Sequence, residues 1–215
     1  MDKKVLRNLS YGVYVVTSRD KDKNVGCIAN SIMQVTSNPS VIAVSINHDN
    51  YTNKVIKEDN KFGVSILKET TDAKIIGTFG YKSSKDTDKF DGINFKEISE
   101  IPVLENTCGY MVCKVIDTME TSTHTIFLGE VIAADDYSTE NAMTYKYSHE
   151  NLKGSSPKNA PTYEETSISQ VDKDSKKRNY KCSICGYIHE ADDLPDDFKC
   201  PICGVGKEHF ELVED

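Results

Sequence analysis

Four cysteines carry the clearest chemistry in this chain. Cys182 and Cys185 form one C-x-x-C pair, Cys200 and Cys203 a second, and 14 residues separate the pairs. Each pair is followed at once by a glycine, Gly186 and Gly204. Two thiolates three positions apart on a tight turn grip one metal from the same side, and a second such turn completes a tetrahedral shell of four sulfurs. Zinc and iron both take that shell, and the spacing alone leaves the choice open. His189 and His209 stand nearby, but four thiolates already complete the coordination, so both are assigned to the surface. Cys27, Cys108 and Cys113 lack a spacing partner for a second metal and are expected as small buried hydrophobes.

Upstream stand three further polar stretches and one histidine. Asn30-Ser31-Ile32-Met33-Gln34-Val35-Thr36-Ser37-Asn38-Pro39 alternates hydroxyl and amide groups with apolar ones. Asn47-His48-Asp49-Asn50-Tyr51-Thr52-Asn53-Lys54 has the makings of a strand-to-helix turn. A helix starting there offers free N–H groups and its positive dipole end, with Asn53, Lys54 and the Thr52 hydroxyl beside them, which suits a phosphate. Phe79 to Phe90 is a polar loop that carries Lys89, and His124 lies in Ser122-Thr123-His124-Thr125-Ile126-Phe127-Leu128-Gly129-Glu130-Val131. Structural readings stand beside each: Thr52 a helix cap, Asn38-Pro39 a turn, the Ser/Thr alternation a solvated face, His124 a hydrogen-bonding strand residue.

The elements that must position these groups are mostly strands. Tyr11–Ser18, Val41–Asn47, Phe62–Leu67, Cys108–Met119 and Thr123–Ala134 are rich in β-branched and aromatic residues. Short helices are expected from near Thr52 and near Thr71, each with a capping residue in place. Many short strands with few helices predict a mainly β fold, a barrel rather than a doubly wound sheet. Neither G-x-G-x-x-G nor G-x-x-x-x-G-K-[ST] occurs, so two common nucleotide cradles are absent. Residues 164–179 are polar, charged and poor in large apolar groups, and are expected to form a flexible tether. A coil of that length spans roughly 20–25 Å. The chain thus divides into a main domain over 1–163, the tether, and a small metal unit over 180–215.

At 215 residues the chain can bury a substantial core. No apolar run approaches a bilayer span and the first residues lack a signal-peptide core, which predicts a cytoplasmic protein without a membrane partner. Seven cysteines there argue for metal ligands over disulfides. A net charge of −8 argues against nucleic acid as a partner, since phosphate binding needs a basic footprint. Residues 180–215 hold nine acidic side chains against three lysines, so they carry most of that charge. Such a face is either a solubilising surface or a docking face for a basic partner.

Two family resemblances organise these parts. Tyr180 two before the first ligand, Cys185-Gly186-Tyr187, Phe198-Lys199-Cys200-Pro201-Ile202-Cys203-Gly204 and the closing Lys207-Glu208-His209-Phe210 resemble rubredoxin, in the shortened form appended to rubrerythrins. That resemblance implies one iron on Cys182, Cys185, Cys200 and Cys203, with zinc as the competing ion. The main domain resembles the split-barrel domain of the flavin reductase family, of flavoredoxin type. This resemblance implies FMN lying along Asn30, Ser31, Gln34, Val35, Thr36 and Ser37. Its phosphate would meet Asn47, Asn50, Thr52, Asn53 and Lys54, with Lys89 near the flavin edge. It places His124 where the nicotinamide of NAD(P)H stacks, as an orienting group for hydride transfer. It also implies a homodimer with flavin at the subunit interface.

Together the halves imply electrons running from NAD(P)H to FMN, to the Cys₄ iron, and out to an acceptor such as a flavodiiron oxygen or nitric oxide reductase. The fusion is similar to the high-molecular-weight rubredoxins of anaerobes. Two alternatives remain open on the sequence: a flavin reductase releasing reduced FMN beside a structural zinc, and an electron carrier with no nicotinamide activity.

Overall fold

The computed structural model describes residues 3–137, 139–152 and 178–213. Most of the expected tether and all of the stretch from Lys153 to Tyr163 lie outside them. The main domain runs β1 (Tyr14–Asp20), β2 (Lys23–Ala29), β3 (Ile32–Ser37), β4 (Ser40–Asn47), α1 (Tyr51–Asp59), β5 (Lys61–Ile66), α2 (Ala73–Tyr81), β6 (Phe95–Ile98), β7 (Ile101–Leu104), β8 (Gly109–Glu120), β9 (His124–Asp136) and α3 (Tyr145–Leu152). Seven strands form one antiparallel sheet in the order β2-β1-β5-β8-β9-β4-β3. The sheet curls on itself, because one buried cluster holds Val16, Cys27 and Ala29 from β1 and β2 together with Ile42, Val44 and Ile46 from β4. The mainly β split-barrel expectation is met.

Packing explains several local choices. Gly129 on β9 is required because a β-carbon there would stand 2.6 Å from the Phe62 ring and 2.8 Å from Cys113 Cβ. Cys27, Cys108 and Cys113 are all buried, as expected of thiols with no metal to hold. Helix α1 is capped at both ends. The Asn50 side chain accepts from Thr52 N, and Asn60 closes the far end in the left-handed conformation, its N–H bonding to Ile56 O. Helix α2 begins one residue later than the Thr71 signal, with Asp72 as the cap that accepts from Lys74 N. Val13, Leu67, Phe79, Phe90, Leu104 and Met143 form a second cluster beneath it.

Residues 178–213 make a separate three-stranded sheet, β11-β10-β12, from β10 (Arg178–Cys182), β11 (Ile188–Ala191) and β12 (Phe210–Val213). Arg178 and Asn179, read from the sequence as the end of the tether, are strand residues here. No described helix is long and apolar enough to cross a membrane.

Candidate functional site

The cysteine shell closes as its spacing predicts. All four Sγ atoms lie within 4.8 Å of one another and all four residues are buried. Cys182 Sγ is 3.7 Å from Cys203 Sγ, and Cys185 Sγ is 3.4 Å from Cys200 Sγ. A tetrahedron with metal–sulfur bonds near 2.3 Å has edges of about 3.8 Å, so the donors fit one such ion.

Two knuckles build the shell with matching hydrogen bonds. Cys182 N donates to Tyr187 O and Gly186 N to Cys182 O, both at 2.8 Å. Cys200 N donates to Val205 O at 2.8 Å and Gly204 N to Cys200 O at 2.9 Å. Both turns need positive φ, met by Gly186 at 72° and Gly204 at 76°. The result aims backbone N–H groups at sulfur. Cys200 is held well below the usual thiol range, first by its hydrogen bond with Cys185 and then by the N–H groups of Cys203 and Ile202. Such donors stabilise thiolates and tune a bound metal. Tyr187, Val205 and Phe210 pack around the cluster from within the unit. His189 stacks on Phe198 at 4.5 Å rather than joining the shell.

In the barrel, the strand register gathers most of the other predicted residues at one end. Ser45 N donates to Ser31 O at 3.1 Å, which continues the β3–β4 pairing and sets Asn30 and Ser31 beside the β4–α1 turn. Asn47 pairs with His124 across β4 and β9. Asn30, Ser31, Asn47, Asn50, Thr52, Asn53, Lys54 and His124 therefore surround one corner. Gln34, Val35, Thr36 and Ser37 lead away from it along the exposed edge strand β3, which a bulge between Gln34 and Thr36 bends.

Individual side chains divide into outward-facing and inward-facing groups. Lys54 is open to solvent, 3.7 Å from Glu58. The Asn50 carboxamide occupies the Thr52 N–H, so part of the helix N-terminus is already satisfied from within. The buried Thr52 Oγ1 has no partner but the weak Cys27 thiol beside it. Asn53 Nδ2 donates to Ile46 O at 2.9 Å and its Oδ1 accepts from Thr125 at 3.4 Å, tying α1 to β4 and β9. Lys89 is turned inward, donating to Gly26 O at 2.8 Å and Phe79 O at 3.2 Å. The run of amides and hydroxyls at this corner, with Lys54 open to solvent beside it, fits an elongated polar ligand with an anionic end.

His124 is partly exposed, with Nδ1 2.8 Å from Thr123 Oγ1. Burial first, and the charge of His48 second, hold its pKa below the ordinary value, so the ring is neutral at pH 7. Beside it opens a recess of about 380 Å³ lined by His48, Asn53, Lys54, Lys57, Glu58 and Glu120. Sequence reasoning did not single out His48, Lys57 or Glu120. Glu120 pairs with Lys57 at 2.7 Å and His48 at 2.9 Å. Their meeting depends on the tip of the β8–β9 hairpin reaching α1 through Glu120 and Thr125, which no local spacing reveals.

Comparison with known proteins matches both halves. Residues 6–154 match the flavin reductase like domain, and residues 180–211 match the rubrerythrin, rubredoxin-like domain. A high molecular weight rubredoxin of Moorella thermoacetica is 38% identical over 99% of this chain and 100% of its own. A ferric-chelate reductase (NAD(P)H) of Archaeoglobus fulgidus is 36% identical over 77% of this chain and 99% of its own. Among solved structures, the NADH:FAD oxidoreductase of Streptomyces globisporus superposes with a TM-score of 0.61 at 26% identity. It covers 66% of this chain and 85% of that one.

Proposed function

Since the chain belongs to the flavin reductase family and carries a rubrerythrin-type rubredoxin unit, we propose that it is an NAD(P)H-dependent oxidoreductase. Electrons from the nucleotide would reach the Cys₄ iron by way of FMN and leave to an external acceptor, for which a flavodiiron oxygen or nitric oxide reductase is the candidate. The observation that carries this reading is the presence in one chain of a flavin reductase barrel and a closed four-sulfur shell. A bound flavin supplies the conversion between a two-electron hydride and the single electrons that one iron accepts.

The chain's own residues bind and align. Asn30, Ser31, Gln34, Val35, Thr36 and Ser37 would line the flavin along β3. Asn47, Asn50, Thr52, Asn53 and Lys54 would hold its phosphate at the start of α1. With its ammonium facing Gly26 O and Phe79 O, Lys89 would fix the loop at the flavin edge rather than reach the ligand. His124, neutral and held by Thr123, would orient the pyridine nucleotide beside the recess at Lys54, Lys57 and His48. A cytoplasmic homodimer, with the barrel over 1–163, the tether over 164–179 and the metal unit over 180–215, completes the reading.

Metal and flavin analysis of protein purified anaerobically from iron-replete cells tests it. The expected result is one flavin and one iron per chain, with flavin reduced by NADH or NADPH. Stoichiometric zinc would exclude the electron relay, and a flavin that neither nucleotide reduces would exclude the reductase.

A further inference from the structure

One face of the barrel is occupied by the C-terminal unit itself. Ala73, Gly77 and Tyr81 recur every four residues along α2 and so form one row on the helix. Ala73 and Tyr81 pack against the buried cysteine cluster. Between them, Ile202 O lies 1.5 Å from the position a β-carbon on Gly77 would take, with the Ile202 carbonyl carbon at 2.7 Å and Cys203 Cα at 3.4 Å. Even alanine at 77 would have to push the knuckle back by roughly 1.5 Å or more to restore an ordinary carbon–oxygen contact.

Gly77 has no other evident role. It is the interior residue of a helix, where glycine is less favourable than alanine. Gly80 on the same helix offers the contrast, since a β-carbon there would meet Ile28 at an ordinary 3.6 Å. That contact also fixes where the seat lies. Ile28 is on β2, two residues before Asn30, so the helix that carries the knuckle rests against the strand leading into the flavin segment.

We propose that the Ala73–Gly77–Tyr81 face of α2 is the docking seat for the second knuckle, Cys200-Pro201-Ile202-Cys203, and that flavin and metal exchange electrons with the knuckle seated there. The seat stands on packing alone, whereas its redox role rests on the function proposed above. With both groups bound, one electron would pass from reduced flavin to ferric iron, leaving ferrous iron and a flavin oxidised by one electron, with no bond made or broken.

Full-length zinc-loaded protein, compared by amide NMR before and after chelation, tests the seat without any redox chemistry. In the wild type and in Gly80→Ala, removing the metal should shift the α2 resonances; in Gly77→Ala, α2 should be insensitive, with the barrel's melting temperature unchanged or raised. An insensitive wild-type α2, or a Gly77→Ala variant that responds like the wild type, would overturn the seat. In iron-loaded protein, Gly77→Ala should slow flavin-to-iron transfer at least tenfold while leaving nucleotide-to-flavin reduction unchanged. Transfer at the wild-type rate would overturn the redox role. Failure of the nucleotide to reduce flavin would sink the functional reading and leave the NMR result on the seat intact.

Discussion

Burial of Lys89 removes its ammonium from water and draws its pKa from the ordinary lysine range down to about 8. Its two carbonyl partners do not fully replace the lost hydration. In the unfolded chain the group stays protonated up to about pH 10.4, so between those values the unfolded state binds the extra proton and stability rises with pH. Comparing chemical denaturation at pH 8 and pH 10.5, the wild type should gain about 3 kcal/mol relative to Lys89→Met. An equal pH response in the two proteins would contradict the lowered pKa of Lys89. His124→Ala should keep its flavin but lose about tenfold in nucleotide-dependent flavin reduction, as expected when alignment alone is disturbed. Full activity in that variant would strip His124 of its orienting role. The metal ligands were legible at this scale because spacing dictates their geometry. The inward turn of Lys89 was not, because the carbonyls that receive it belong to Gly26 and Phe79, 63 and 10 residues away in the chain.

At the scale of elements, the strands β4, β5, β8 and β9 were readable from their β-branched content. Strand β2, Lys-Asn-Val-Gly-Cys-Ile-Ala, has weak local preference and is held by pairing with β1 along its whole length. Tertiary pairing overrides propensity there. The barrel's stagger also leaves edges. β5 pairs with β8 only as far as Lys114, and β4 with β9 only as far as Glu130. Beyond those points, and along β3, Met33, Val35, Ile116, Met119 and Ile132 are exposed at 65%, 46%, 51%, 58% and 46%. Exposed apolar edge strands invite a covering partner, and a second copy of the chain fits the expected homodimer. Val35→Lys with Met119→Lys should convert a dimer to a monomer in sedimentation analysis and lower flavin content. A wild type that sediments as a monomer would contradict this.

Across the whole molecule, the two halves obtain stability in different ways. The barrel has two large apolar clusters, whereas the metal unit's core is its four cysteines with Ile202 and a few flanking side chains. A unit of this size cannot bury enough surface alone, so the metal must contribute on the order of 10 kcal/mol to its folding. Chelation should therefore melt residues 178–213 while the barrel keeps its transition temperature within a few degrees, as read by calorimetry and amide exchange. Loss of both transitions together would show that the halves fold as one. The two-part organisation was legible from the polar stretch between them. The contact of the second knuckle with α2 was not, because in sequence Gly77 is only a glycine in a helix.

The barrel's proposed role is to feed the cysteine-bound iron. It is tested most directly by mixing anaerobic, oxidised full-length protein with NADH, and separately NADPH, in a stopped-flow spectrometer. Flavin absorbance should fall first, and ferric-thiolate absorbance should follow at a rate independent of protein concentration. Flavin that bleaches while the iron stays ferric would contradict it.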